Sequence, residues 1–116
     1  MSASRRDDRG IATVLALGLV VVLVVATMIG VGVVRVIAAR HVAAAAADLG
    51  ALAGAGAVGR GPPCAAAGRT VQANDAELVS CRVSGADVVV VASVRSEPLL
   101  GVSWVPRSSA RAGPVR

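Results

Sequence analysis

The sequence predicts an α+β protein, with a single N-terminal transmembrane helix extended into a long Ala-rich helix, followed by a short helix and a small β-hairpin or antiparallel sheet. Three observations predict it. Ile11–Val34 contains no charged residue. The following residues, to position 58, are dominated by Ala, the best helix former. Beyond Pro63 the apolar period shifts from that of a helix to that of a strand. Composition agrees: of 116 residues 55% are hydrophobic and 16% charged, Trp104 is the one aromatic, and mean hydropathy is +0.73. Those values exclude an ordinary soluble domain with a core filled by Phe and Tyr. All 12 basic residues are Arg, and the absence of Lys, Phe and Tyr reflects a GC-rich coding sequence rather than a function.

Residues 1–10 form a basic tail expected on the cytoplasmic side, carrying Arg5, Arg6 and Arg9. Residues 11–34 follow as the transmembrane helix. At a rise of 1.5 Å per residue this segment spans roughly 36 Å, enough to cross a hydrocarbon layer about 30 Å thick. Its many Val residues are poor helix formers in water, but lipid leaves the backbone no other way to satisfy its hydrogen bonds. A cleavable secretory signal is the alternative, because the three Arg resemble a basic n-region; such signals, however, have apolar cores of only about 7–15 residues. Three Arg before the span against Arg35 and Arg40 after it favour a cytoplasmic N-terminus by a small margin. The two cysteines further on favour an extracytoplasmic C-terminal module, or a secreted one if the segment is removed.

Residues 35–58 continue as an Ala-rich helical extension, expected to fray near Gly54, Gly56 and Gly59, and residues 59–63 form a Gly/Pro break. Residues 63–75 predict a short helix with Cys64, Ala67 and Val71 on one face. In Glu77–Val83, the residues Val79, Cys81 and Val83 alternate with Leu78, Ser80 and Arg82, the pattern of a half-buried strand. Ser84–Asp87 supplies a turn and Val88–Val94 the partner strand. Leu99–Val105 is expected to add a third short strand, residues 64–106 to complete a small extracytoplasmic α+β module, and residues 107–116 to form a disordered basic tail. A module of about 45 ordered residues is too small for a comfortable core. Cys64 and Cys81 both fall on apolar faces, so a disulfide between them is reasonable and would stabilise by roughly 3 kcal/mol. Two free buried thiols are the alternative.

No enzymatic constellation emerges. His41 is the one histidine, which removes most metal sites and any Ser-His-Asp arrangement, and the cysteine pair lacks further ligands. No catalytic residue, cofactor, metal or small-molecule substrate is expected. Asp48 interrupts an Ala run, either as a solvated residue or as a partner for an Arg of a neighbouring subunit. The pI of about 11.3 and net charge of +5 come with scattered Arg and no aromatic stacking surface, so nucleic acid is not expected. The Arg residues instead set topology, snorkel or meet anionic membrane lipid. Ala12 and Ala16, then Ala26 and Gly30, form small-xxx-small pairs near one face of the membrane segment, a spacing that lets helices approach closely in lipid.

These residues carry a family likeness. Asp8-Arg9-Gly10 followed by Ile11-Ala12-Thr13-Val14, then the run Arg40-His41-Val42-Ala43 through Asp48-Leu49-Gly50-Ala51-Leu52-Ala53, resembles the TadE/TadG-like proteins of tight-adherence (Flp) pilus assembly. Cys64-Ala65-Ala66-Ala67 and Leu78-Val79-Ser80-Cys81-Arg82-Val83 resemble the small actinobacterial TadE-like branch. The likeness covers about residues 5–95. It implies a non-enzymatic, membrane-anchored pilin-like or minor-pseudopilin-like part of a pilus or secretion apparatus, whose partners are other pilin-like or Tad-type assembly subunits. Prepilin-type chains are cut after a Gly preceding the apolar helix and carry Glu at the fifth mature position. Gly10 is thus a possible processing site, but Leu15 stands where that Glu belongs, so retention of the whole N-terminus is the favoured expectation. Two alternatives stand beside this one: a secreted small binding protein left after removal of the hydrophobic segment, and a single-span accessory subunit of an unrelated membrane complex.

Overall fold

The computed structural model describes residues 2–95, 101 and 103–114, with side chains from Asp7 onward. The elements are α1 (Ser2–Ala57), α2 (Pro63–Ala73), β1 (Glu77–Ser84), β2 (Asp87–Ser93) and β3 (Arg107–Ala112). The chain divides into two compact units, Met1–Val34 and Arg35–Arg116, and α1 contributes to both.

In the first unit the helix begins at Ser2, so the expected basic tail is helical from its second residue rather than a separate segment. The large apolar side chains of Ile11–Val34 are 46% to 68% exposed. The two hydroxyls of this stretch are satisfied locally: Thr13 donates to the Arg9 carbonyl (2.9 Å) and Thr27 to the Leu23 carbonyl (2.8 Å). Back-bonding of this kind leaves no free hydroxyl donor on an apolar helix.

In the second unit the later part of α1 buries a stripe of small residues: Ala43, Ala46, Ala47, Gly50, Ala51 and Gly54. Their 3- and 4-residue spacing places them on one face. Against this stripe lie Ala67 and Val71 of α2 and Val88, Val90 and Ala92 of β2, so the core is assembled from Ala and three fully buried valines. The expected fraying at Gly54 does not occur, because that glycine is packed inside. The helix stops only at Ala57, after which Gly59 takes φ +80° and the Arg60 and Gly61 amides donate to the Ala57 carbonyl at 2.9 and 3.0 Å.

Pro63 starts α2 at a position whose amide would have no helical acceptor in any case. The helix ends in a Schellman arrangement: the Ala76 amide donates to the Val71 carbonyl and the Asp75 amide to the Gln72 carbonyl, both at 3.2 Å. Asp75 occupies the left-handed position with φ 60°. Asn74 Nδ2 adds a bond to the Thr70 carbonyl at 2.8 Å.

The antiparallel sheet has the order β1-β2-β3. A two-residue turn joins β1 to β2, with Gly85 at φ +61° in the first central position, as a type II′ turn requires. Two expectations are corrected here. A bulge between Leu78 and Ser80 shifts the phase of β1, so Leu78 rather than Val79 is half-buried with Cys81; one inserted residue moves what precedes it to the other face, while Val83, in phase with Cys81, is exposed near the turn. Of the expected third strand Leu99–Val105, the described residues Gly101, Ser103, Trp104 and Val105 are not in a strand. Leu99, Leu100 and Val102 lie outside the described residues, Gly101 is in a turn, and the strand is Arg107–Ala112, within the stretch expected to be a disordered tail. Its side chains alternate between exposed Arg107, Ser109 and Arg111 and half-buried Ser108, Ala110 and Ala112. The inner three pair with Ala92, Val90 and Val88 of β2. Small and polar alternation suffices for an edge strand laid on a β-branched centre, and that period of two is the signal in the sequence.

Candidate functional site: the apolar helix and its surroundings

Among the described residues α1 is the one helix long and apolar enough to cross a membrane, by length and composition, and its most apolar window is wholly unburied. Ala12, Ala16, Ala26 and Gly30 are all exposed, and a Cβ added at Gly30 would meet nothing within 4 Å. The pattern is fuller than the small pairs alone. Leu19 and Leu23 fall between them, so Ala12, Ala16, Leu19, Leu23, Ala26 and Gly30 follow one another at intervals of 4, 3, 4, 3 and 4 residues. This is a heptad seam of period 3.5, the repeat on which helices pair as left-handed coiled coils. Gly10 is exposed and helical, with open space around its Cα.

The small residues of the later part of α1 have a different role from the one their composition suggests. By composition alone, residues 43–47, Ala51, Ala53, Ala55 and Ala57 would continue a smooth, low-profile surface for lateral packing against other helices. In the second unit, much of that surface is covered by the chain's own α2 and β2. An added Cβ at Gly50 would lie 2.6 Å from Val71 Cγ2, and one at Gly54 would lie 2.9 Å from Val88 Cγ1 and 3.2 Å from the Pro63 carbonyl oxygen. What stays outward is a second face bearing Val42, Leu49 and Leu52, with Asp48 exposed beside it.

Cys64 at the start of α2 and Cys81 in β1 are joined by a disulfide, with Cα atoms 5.7 Å apart. The bridge ties helix to sheet, with Cys81 half-buried against the core. On the solvent face of the sheet, Arg111 forms an ion pair with the buried carboxylate of Asp87, diagonal to it across β2 and β3. Gly113 follows, where a Cβ would overlap that carboxylate. The Arg95–Glu77 pair, at 3.6 Å between largely exposed side chains, contributes little.

His41 does not stand alone at the surface. It lines an open cavity of about 590 Å³ in the second unit, together with Arg40 of α1, Trp104 of the segment entering β3, and Arg107 and Ser108 at the start of β3. The sequence places Arg40 and Arg107 far apart and offers no period that pairs them, so this grouping is legible only in the fold. No group of three or more His, Cys, Asp or Glu that could hold a metal ion exists among the described residues.

Taken together, these features define a class: a chain with one exposed apolar helix of membrane-spanning length and a small disulfide-closed α+β unit. Residues 10–57 match the model of the putative Flp pilus-assembly TadE/G-like family, so the apolar helix and its Ala-rich continuation are similar to that family. The match agrees with the likeness read from the sequence itself. No curated protein and no solved structure matches the chain.

Proposed function

We propose that the chain is a membrane-anchored, non-enzymatic component of a Tad-type pilus or secretion apparatus, pilin-like or minor-pseudopilin-like in action, working through helix packing and subunit assembly. The observation that carries this is a coincidence of position: the TadE/G-like match over residues 10–57 contains the whole exposed apolar stretch Ile11–Val34. An unburied stretch of this length is stable only in lipid or against other apolar helices. The seam of Ala12, Ala16, Ala26 and Gly30 is the surface that packs on neighbouring helices. The N-terminus is cytoplasmic and uncut at Gly10, and the module stapled by Cys64 and Cys81 lies outside the membrane, where the bridge persists. The outer edge of β1 offers partner subunits a line for strand pairing.

The test is to extract the full chain in mild detergent and cross-link it through single cysteines placed at Ala16 or Gly30, with the native pair retained. Cross-links to Tad-type pilin, platform or ATPase subunits are expected; their absence overturns the assignment. The measured N-terminus separates the remaining questions. An intact start supports the uncut anchor, and a start at Ile11 supports processing after Gly10.

One observation favours a second reading. The compact second unit begins at Arg35, and its buried stripe runs from Ala43 to Gly54. Removal of everything before Arg35 therefore spares the core, as a secreted small binding protein requires. A mature N-terminus at or near Arg35 would select that reading.

A further inference from the structure

We propose that the cavity between the start of the Ala-rich helix and the segment entering β3 is a binding site for the phosphodiester of an anionic phospholipid headgroup. Arg40, His41 and Arg107 line it together with Ser108, and none of its described lining residues is acidic. Two arginines on one cavity, with no carboxylate among the described lining residues, make the lining net positive and attract an anion. The planar fork of Arg suits phosphate oxygens, and a serine hydroxyl and an imidazole add donors.

The remaining walls point to lipid. Val36 and Ala44 give an apolar side, and Trp104 is half-buried in the lining. Tryptophan prefers the membrane interface, where its ring meets both acyl chain and headgroup. Val36 comes two residues after the charge-free stretch ends at Val34, and Arg40 and His41 one turn later, the level at which headgroups flank the hydrocarbon. The opposing segment is held in place, because the Val94 amide donates to the Pro106 carbonyl at 3.1 Å. The site rests on the proposal that Ile11–Val34 spans a membrane.

Trp104 is the only Trp in a chain without Tyr, so its emission reports on this cavity alone. The full chain is reconstituted in phosphatidylcholine vesicles carrying increasing fractions of phosphatidylglycerol. A saturable shift of Trp104 emission with phosphatidylglycerol is expected, and soluble glycerophosphate is expected not to reproduce it. Arg40→Gln and Arg107→Gln should each weaken the response about fivefold, as for one basic residue lost near an anionic surface, while Arg60→Gln, remote from the cavity lining, leaves it unchanged. A double Arg40→Gln/Arg107→Gln variant that responds as the parent does overturns the site. An equal response to soluble glycerophosphate overturns the lipid assignment in favour of a free phosphate. A chain that fails to float with pure phosphatidylcholine vesicles overturns the anchor, and this proposal with it. A chain that floats with them but whose emission ignores phosphatidylglycerol overturns the headgroup site alone.

Discussion

Gly54 and Gly56 lie two residues apart on α1 and answer differently to one added methyl group. At Gly56 nothing lies within 4 Å of a new Cβ. Gly56→Ala therefore gains only the helix-propensity difference and should raise stability by about 0.5–1 kcal/mol. At Gly54 the new Cβ would lie 3.2 Å from the Pro63 carbonyl oxygen, which belongs to backbone and cannot rotate away, and 2.9 Å from Val88 Cγ1. Overpacking costs typically about 1–3 kcal/mol, more than the propensity gain, so Gly54→Ala should be destabilising. Thermal unfolding of the two variants in the same detergent checks the pair, and equal shifts would refute the tight contact. Asp75 gives a third expectation at this scale. It holds the left-handed position of the α2 cap at φ 60°, where glycine is least strained. Asp75→Gly should raise the unfolding midpoint slightly, by a stability gain on the order of 0.5 kcal/mol.

Elements built from similar residues do different things in this chain. Small residues in the first part of α1 stay exposed on a heptad seam, whereas those in the second part are buried beneath α2 and β2. Replacing Ala16 and Gly30 by Leu should weaken association between apolar helices in detergent or lipid, seen as loss of cross-linked species, while the disulfide-closed unit unfolds as before. Helicity over α1 was legible from its charge-free stretch and its Ala content. The strand face of β1 was not, because a bulge at Val79 is a matter of pairing with β2 and leaves no mark on the local alternation. β3 was missed for a related reason. Arg107–Ala112 is polar and small, and what makes it a strand is the valine-rich β2 beside it rather than apolar content of its own.

For the molecule as a whole, the scarcity of bulk has a structural consequence. The largest fully buried side chains are Val71, Val88 and Val90, and the rest of the core is mainly Ala. Such a core buries little apolar surface, so covalent closure matters more than usual. The Cys64–Cys81 bridge closes a loop of sequence separation 17 and should contribute about 3 kcal/mol. Cys64→Ser/Cys81→Ser should therefore lower the thermal midpoint of the second unit well below that of the oxidised parent, as reductant should for the parent itself. A double variant as stable as the parent would show that helix packing alone suffices. The apolar stretch should give a second whole-molecule property: the chain is expected to stay with membranes through carbonate extraction, and release into the supernatant would count against the anchor.

By itself the sequence determined the apolar stretch Ile11–Val34, the Ala-rich continuation, the α2 face bearing Cys64, Ala67 and Val71, the β1–β2 hairpin and the likeness of residues 10–57 to the TadE/G-like family. These depend on local composition and short periods, which survive without knowledge of neighbours. Tertiary structure alone decided which small residues are covered, which face of β1 turns inward, that Arg107–Ala112 completes the sheet, and that Arg40, His41, Trp104 and Arg107 share one cavity. Each of those depends on residues distant in sequence approaching within a few ångströms, and in a chain this rich in Ala, Gly and Val many approaches look alike until the backbone has chosen one.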